Sequence, residues 1–275
     1  MEEKIQIDFI IPSYKSEILT SLAIKSFEKY KGDFEFRYIV VENASDESYK
    51  EKISSLAEQV VWVSNKQQSG YLRAAANAEA IEVGLDYVES DLVFICHNDT
   101  VACSENWMNF LYQKIQEGNF IAGTLLDNSR IQAVHISGML LKTELAKKVS
   151  CYPILDEDSR ALAGLPAEKI EEIKSTRQEL DVPQNVELDV GDSYTRYCRL
   201  NDIKHFSCKN THNVDIELTS PYSDFPSDRA VDDSGEVIFM HLGRGIAKQD
   251  GNYHKRGKST YSGWKDFVIR EVLGE

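Results

Sequence analysis

A short apolar run followed at once by polar side chains is the feature that most limits how this chain can fold. The run, Leu92 to Cys96, consists of strand-forming residues and is too short for a typical helix, so it predicts a buried strand. His97, Asn98 and Asp99 follow it directly and place an imidazole, an amide and a carboxylate at its carboxyl end. Open α/β sheets bind their ligands at this edge. The alternative is a strand followed by an Asp-containing turn with no ligand.

Three strand–helix units precede this strand. Apolar runs predict strands at residues 5–11, 36–41 and 60–64, and helical patterns lie at 16–30, 46–59 and 71–84. The short connections favour a doubly wound, mainly parallel α/β sheet. Beyond the polar triplet, the pattern predicts strands at 120–126, 134–141 and 237–240, helices at 105–116, 168–180 and 189–200, and a long polar connection at 210–233.

The overall composition is that of a globular protein. The chain has 275 residues, 42% of them hydrophobic, which is enough for a real core in one large or two small domains. Its formal net charge of −14 argues against nonspecific binding to nucleic acid, because such binding depends on neutralising phosphates. No apolar segment approaches the roughly 18 to 20 residues that span a bilayer, and the N-terminus lacks a signal-peptide pattern, so we expect a cytoplasmic protein without a transmembrane segment. The five cysteines form no CxxC pair and are predicted to be packing residues.

Four segments resemble the successive signatures of family 2 glycosyltransferases with the GT-A fold, in the same order and spacing. They are residues 10–15 (IIPSYK), 40–48 (VVENASDES), 65–77 and 93–100 (VFICHNDT). The resemblance is clearest over residues 5–150. It implies a GT-A α/β fold, with a doubly wound, mainly parallel sheet and an irregular C-terminal acceptor region. The corresponding divisions are a nucleotide-sugar-binding half at 1–126, an acceptor-binding and catalytic half at 127–247, and a tail at 248–275.

The resemblance implies a nucleotide-sugar donor, with a UDP-sugar as the first expectation. The residues that it places at the donor in the first half are Pro12, Ser13, Tyr14, Glu42, Arg73 and Asn77. Glu42 stands where the family usually carries an aspartate that bonds the nucleoside; a surface acid at a strand end is the alternative. Arg73 and Asn77 are four apart on one helical face, so both can turn toward the donor. For Arg73, a solvated helix residue is the alternative.

The triplet at 97–99 occupies the place of the family's DxD metal motif, with His97 replacing the first acid. Asp99 is expected to bind Mn²⁺ or Mg²⁺ directly, because hard oxygen ligands suit these ions. Asn98 is expected at the donor, while His97 can bind the metal, contact a phosphate or ribose, or merely cap the strand. Near the C-terminus, His241 is expected to complete the metal site, with a structural role as the alternative. Arg244, between two glycines, is expected to approach the diphosphate.

The segment 189–200 (DVGDSYTRYCRL) resembles the acidic helix start that carries the family's general base. Asp192, with Arg196 four residues later, fits the second half of that pattern and is the favoured base, while Asp189 fits the first half. An Asp N-cap with an Asp–Arg pair along the helix would explain Asp192 without catalysis. The resemblance also implies that His135 and Ser137 line the acceptor side, although structural strand positions explain them equally well.

Taken as a whole, the resemblance implies a metal-dependent, inverting glycosyltransferase with a glycan, lipid-linked or protein acceptor. Two alternatives stay open: a retaining enzyme on the same fold, and a nucleotide- or glycan-binding domain without turnover. A nucleotidyltransferase is disfavoured, because no Gly-rich phosphate loop follows the first strand. The basic tail can meet phosphate or an anionic membrane surface, which would place the protein at the inner face of a membrane. Trp107 is interpreted as a core residue more readily than as an acceptor contact.

Overall fold

The computed structural model describes residues 4–65, 74–126, 131–155, 162, 164–211, 213–250 and 259–275. In the first part of the chain strands alternate with helices: β1 (Ile5–Ser13), α1 (Glu17–Lys29), β2 (Phe34–Glu42), α2 (Lys50–Ser54), β3 (Val60–Ser64), α3 (Ala74–Leu85) and β4 (Leu92–Cys96). The elements that follow are β5 (Thr100–Ala102), α4 (Trp107–Gln116), β6 (Ile121–Gly123), β7 (Gly138–Lys142), α5 (Thr143–Lys148), α6 (Ala167–Glu179), α7 (Asp192–Leu200), β8 (His205–Ser207), β9 (Lys209–Asn210), β10 (Asp228–Val231), β11 (Val237–His241), α8 (Gly245–Gln249) and α9 (Tyr261–Phe267), which continues as a π-helical turn (Val268–Leu273).

Within the described residues, the strands form a large sheet and a small one. The large sheet has the order β3-β2-β1-β4-β7-β6-β8. Its first four strands are parallel, β7 runs antiparallel to both β4 and β6, and β8 is parallel to β6. The expected α/β fold with a mainly parallel sheet is therefore confirmed. The small sheet, in the order β5-β11-β10-β9, is antiparallel and was not anticipated from the sequence.

Helices cover both faces of the large sheet, as the doubly wound expectation requires. Successive residues of β1 point to opposite faces: Ile10 packs with α3, whereas Phe9 packs with α1 and α4. Trp107 is fully buried on the second face, with its ring centroid 5.2 Å from that of Phe27, which confirms its interpretation as a core residue. In the part of the chain that the structure describes, no helix combines the length and apolarity that crossing a membrane requires.

Two of the sequence predictions need correction. The helix expected from an Asp46 N-cap to residue 59 is the shorter α2, because the Asp46 carboxylate accepts the backbone N–H of Ser48 (2.9 Å) and forms a local turn ahead of the helix. The region 210–233, expected as a connection, contains β10. That strand is stabilised by pairing with β9 and β11 across the chain, and such pairing leaves little local signal in the sequence.

Candidate functional site

The carboxyl ends of the parallel strands β1, β2 and β4 meet at one edge of the large sheet. Directly beyond β4, the chain passes through the polar triplet 97–99 and enters β5. There Thr100 lies opposite His241, the last residue of β11, in antiparallel pairing. This pairing brings a residue from near the C-terminus to the polar end of β4, so the large and small sheets together build the site.

His97, Asp99 and His241 offer ligand atoms that all lie within 4.8 Å of one another. Nε2 of His241 is 3.4 Å from Oδ1 of Asp99 and 3.5 Å from Nδ1 of His97. On its far side, Oδ2 of Asp99 accepts the backbone N–H of Gly245 (2.8 Å), which fixes the carboxylate. Two imidazoles and one carboxylate that converge in this way suit a divalent transition-metal ion.

The charges in this cluster are strongly coupled. Burial and the charge of His241 lower the pKa of His97 to about 4, against the opposing effect of the Asp99 and Asp189 carboxylates. Burial by itself lowers the pKa of His241, but Asp99 and Asp228 outweigh it and raise that pKa to about 9. Burial raises the pKa of Asp99, yet the charge of His241 and its hydrogen bond hold that pKa well below its usual range. At neutral pH His97 is therefore neutral and has a lone pair for a cation, and a cation binding beside His241 would displace its proton.

Other side chains surround the cluster. Nδ2 of Asn77, on α3, lies 3.2 Å from Nε2 of His97, so Asn77 faces the cluster. The His135 ring lies against both cluster histidines, with centroid distances of 5.5 Å to His97 and 5.9 Å to His241. Asp228 bonds the outer nitrogen of His241 at 3.2 Å. The sequence offered no signal for Asp228, because the register that pairs it with His241 was not predictable.

The two aspartates proposed as bases differ in their surroundings. Asp192 is 3% exposed, and its Oδ2 accepts the backbone N–H of Asp189 (2.8 Å), so it holds the turn before α7. Asp189 is half-buried, and its charge reaches the site, since it raises the pKa of His97. Gly191 between them adopts a left-handed conformation (φ 77°), which permits the sharp turn into α7. In the structure, Asp189 is therefore the aspartate with both partial exposure and an electrostatic effect on His97.

Glu42 is fully buried at the end of β2. Its Oε1 accepts the backbone N–H groups of Lys15 (3.2 Å) and Ala44 (3.0 Å), and its Oε2 accepts the hydroxyl of Tyr49. The Tyr49 hydroxyl also bonds Ser13, the last residue of β1 (3.2 Å). Glu42 thus ties together the segments that leave β1 and β2, which rules out the surface-acid interpretation.

The remaining predicted donor residues occupy varied positions. Pro12 is half-buried within β1, and the next residue but one, Tyr14, is 41% exposed beside the strand end. Asn98 is buried, and its amide donates to Thr20 Oγ1 (3.3 Å). Arg244 is exposed and left-handed (φ 62°), directly before α8. Arg73 lies outside the described residues.

The close approach of Gly245 to Asp99 leads to a first prediction. A Cβ at position 245 would lie 2.5 Å from Cβ of Asp99 and 2.8 Å from its Oδ2, so Gly245→Ala must displace the carboxylate. We expect a loss of about 1–3 kcal/mol in the free energy of unfolding from overpacking. Affinity for Mn²⁺ should fall roughly tenfold or more, as when ligand geometry is disturbed in metal sites. Urea unfolding and calorimetric Mn²⁺ titration measure the two effects.

Gly235→Ala is the matched control for this substitution. Gly235 has no atom within 4 Å of its added Cβ but is left-handed (φ 89°). It should therefore cost about 1–2 kcal/mol in stability and leave metal affinity unchanged. Equal Mn²⁺ affinity in wild type and Gly245→Ala would show that the contact with Asp99 does not shape the site.

Comparisons with protein-family models and with curated proteins gave no match. Among solved structures, the chain is similar to the mannosyltransferase PcManGT from Pyrobaculum calidifontis in complex with GDP-Man and Mn²⁺ (15% identity, TM-score 0.42), over 53% of this chain and 47% of that chain. It is also similar to S. aureus TarS in complex with UDP-GlcNAc (17% identity, TM-score 0.39), over 54% and 48% of the two chains. A third similar structure is 4-diphosphocytidyl-2C-methyl-D-erythritolsynthase from Anaerococcus prevotii (13% identity, TM-score 0.44), over 78% of this chain and 94% of that chain. The alignments with PcManGT and TarS thus span about half of those chains.

Proposed function

We propose that this chain is a metal-dependent glycosyltransferase that moves a sugar from a nucleotide-diphosphate donor to a hydroxyl acceptor. The observation that carries the proposal is the convergence of His97, Asp99 and His241 at the carboxyl end of β4. This is where the sequence resembles the metal motif of family 2 glycosyltransferases. The ligand set fits a divalent cation, because its two imidazoles and its carboxylate face one another and Asp99 is ionised at neutral pH.

The donor would lie along the edge formed by the ends of β1, β2 and β4. We propose that the base and ribose lie beside Tyr14 and the segments that Glu42 holds together. A UDP-sugar is the donor that we would test first. Asn77, which contacts His97, would face the sugar diphosphate from α3. In this proposal residues 1–126 hold the donor and residues 127–247 hold the acceptor.

The reaction requires a base, and we assign this role to Asp189. The acceptor hydroxyl oxygen would form a bond to the anomeric carbon, the bond from that carbon to the diphosphate oxygen would break, and the hydroxyl proton would pass to the Asp189 carboxylate. Asp189 is partly exposed, whereas Asp192 is buried and holds the Asp189 backbone. We therefore propose that Asp192 positions the base. Attack on the face opposite the leaving group inverts the anomeric centre.

The leaving diphosphate needs positive charge. Held by His97, Asp99 and His241, a divalent cation would supply most of that charge. Arg244, exposed at the start of α8, would add a guanidinium that suits phosphate oxygens. The basic residues at 254–258 lie outside the described residues; in this proposal their charge would favour an anionic lipid-linked or glycan acceptor at the inner face of a membrane.

Calorimetric titration with a panel of nucleoside diphosphates and nucleotide sugars, with and without Mn²⁺, tests the proposal. We expect one nucleotide to bind in a metal-dependent way, and Asp99→Ala to weaken that binding at least about tenfold by removing a ligand. Asp91→Ala, which changes an exposed carboxylate just before β4, is the control and should bind like wild type. If wild type binds no panel member with either metal condition, the transferase assignment fails in favour of a domain without turnover.

A further inference from the structure

The His241 ring lies between two carboxylates, one near each of its nitrogen atoms. Asp228, the first residue of β10, lies directly opposite His241 in the antiparallel pairing of β10 with β11. Its Oδ2 is 3.2 Å from Nδ1 of His241, while Nε2 of the same ring faces Asp99. Because strand register places Asp228 at this position, the contact is built into the small sheet.

The chemistry of the two groups decides which ring nitrogen carries a proton. An ionised carboxylate can only accept hydrogen bonds, so it requires a hydrogen on Nδ1 of His241. The nitrogen left to face Asp99 and His97 is then Nε2, the atom that would bind a cation. His97 differs, because its outer nitrogen meets the Asn77 side chain, and an amide can present either its N–H or its oxygen. The Asn77 side chain can therefore pair with either protonation pattern of the His97 ring. Asp228 instead holds the proton on Nδ1 of His241, so a cation would displace the proton on Nε2.

We infer that Asp228 is a positioning residue for the metal site: it fixes the tautomer and the ring orientation of His241, so that Nε2 is presented to a divalent transition-metal ion. Carboxylates that hold the outer nitrogen of a metal-binding histidine typically contribute ten- to a hundredfold in metal affinity. The inference rests on the metal site of the proposed function, but it concerns metal binding alone and does not depend on which donor or acceptor the protein uses.

The test is calorimetric titration of Mn²⁺ and Co²⁺ into folded protein without any nucleotide. Asp228→Ala should lower the binding affinity for both ions by roughly 10- to 100-fold. Asp228→Asn keeps the side-chain size and an acceptor oxygen, so it should fall between wild type and Asp228→Ala. The visible absorption of bound Co²⁺ should change in Asp228→Ala, because a reoriented imidazole alters the ligand geometry.

Asp233→Ala is the matched control. Like Asp228→Ala, this variant removes one negative charge, here from the turn between β10 and β11. The Asp233 carboxylate is 70% exposed and pairs with Lys114, away from His241. It should leave Co²⁺ affinity and spectrum unchanged. Wild-type affinity and spectrum in Asp228→Ala would overturn the inference, as would equal losses in Asp228→Ala and Asp233→Ala, or no binding of either ion by wild type. Weakened metal binding in Asp228→Ala with no nucleotide binding by wild type would instead sustain the inference and defeat the transferase assignment.

Discussion

Asp189→Asn is expected to lower the rate of sugar transfer by ~10² to 10⁴ while leaving donor affinity unchanged, because an amide cannot take the acceptor proton. Asp189 is the partly exposed aspartate whose charge reaches His97. Its replacement should not disturb the proposed metal ligands His97, Asp99 and His241, which lie on other segments. Initial rates at saturating donor, combined with calorimetric donor titration, separate a loss of chemistry from a loss of binding.

Asp192→Asn is the control for this variant, and it also tests the competing hypothesis that Asp192 is the base. The sequence pattern favoured Asp192 as the base, but its Oδ2 accepts the backbone N–H of Asp189, and an asparagine oxygen can accept the same bond. We therefore expect a rate within about tenfold of wild type. If Asp192→Asn proves the more damaging of the two with donor affinity intact, the base is Asp192 and Asp189 has a lesser role.

Arg37→Met should have the largest effect on stability, a loss of about 3–5 kcal/mol in the free energy of unfolding. Asp8 on β1 is fully buried, and Arg37 on β2 pairs with it at 3.2 Å. The Asp8 carboxylate also accepts the backbone N–H groups of Glu89 (2.6 Å) and Ser90 (3.0 Å), just before β4. Without the guanidinium, a buried carboxylate keeps its backbone donors but loses its counter-charge. Urea unfolding followed by circular dichroism measures the loss.

Two further variants show whether the loss comes from the buried charge. Glu89 is the second acidic partner of Arg37, and its side chain is 74% exposed. Glu89→Gln removes this exposed charge, so it should change the free energy of unfolding by no more than about 1 kcal/mol. The double variant Asp8→Asn with Arg37→Met should recover part of the loss, because no uncompensated charge remains buried. A cost below about 1 kcal/mol for Arg37→Met alone would mean that the ion pair contributes little to β1–β2–β4 packing.

The large sheet was predictable because its strands carry their own signal. β4 is a continuous apolar run, which is what burial on both faces of a parallel sheet selects. β1 and β2 are mostly apolar, and the two buried charged residues that interrupt them, Asp8 and Arg37, pair with each other. Helix boundaries were less well predicted, as with α2, because Asp46 can satisfy a nearby backbone group as readily as it can cap a helix. The small sheet was missed because β5 and β10 are short, and their pairing partners lie far away in sequence or in an unpredicted register.

The candidate site was predictable in part. His97 and Asp99 could be recognised in the sequence because they directly follow an apolar strand. The structure places His241 beside them. The choice between Asp189 and Asp192 could not be made from spacing, because both lie at one helix start. They differ in burial and in the effect of their charge on His97, and spacing reveals neither. No local sequence pattern pointed to Asp228, because its proposed role depends on its cross-strand partner His241.

His97 and His241 are separated by 144 positions in the chain, although their rings touch. The cluster therefore cannot exist until β11 has been synthesised and has paired with β5, a contact whose formation requires a large loop to close. An ion that binds the finished cluster but not the open chain favours the closed state by mass action. On the ribosome, His97 and Asp99 would therefore emerge well before His241, so the three side chains could converge on an ion only after β11 has been made and has paired with β5.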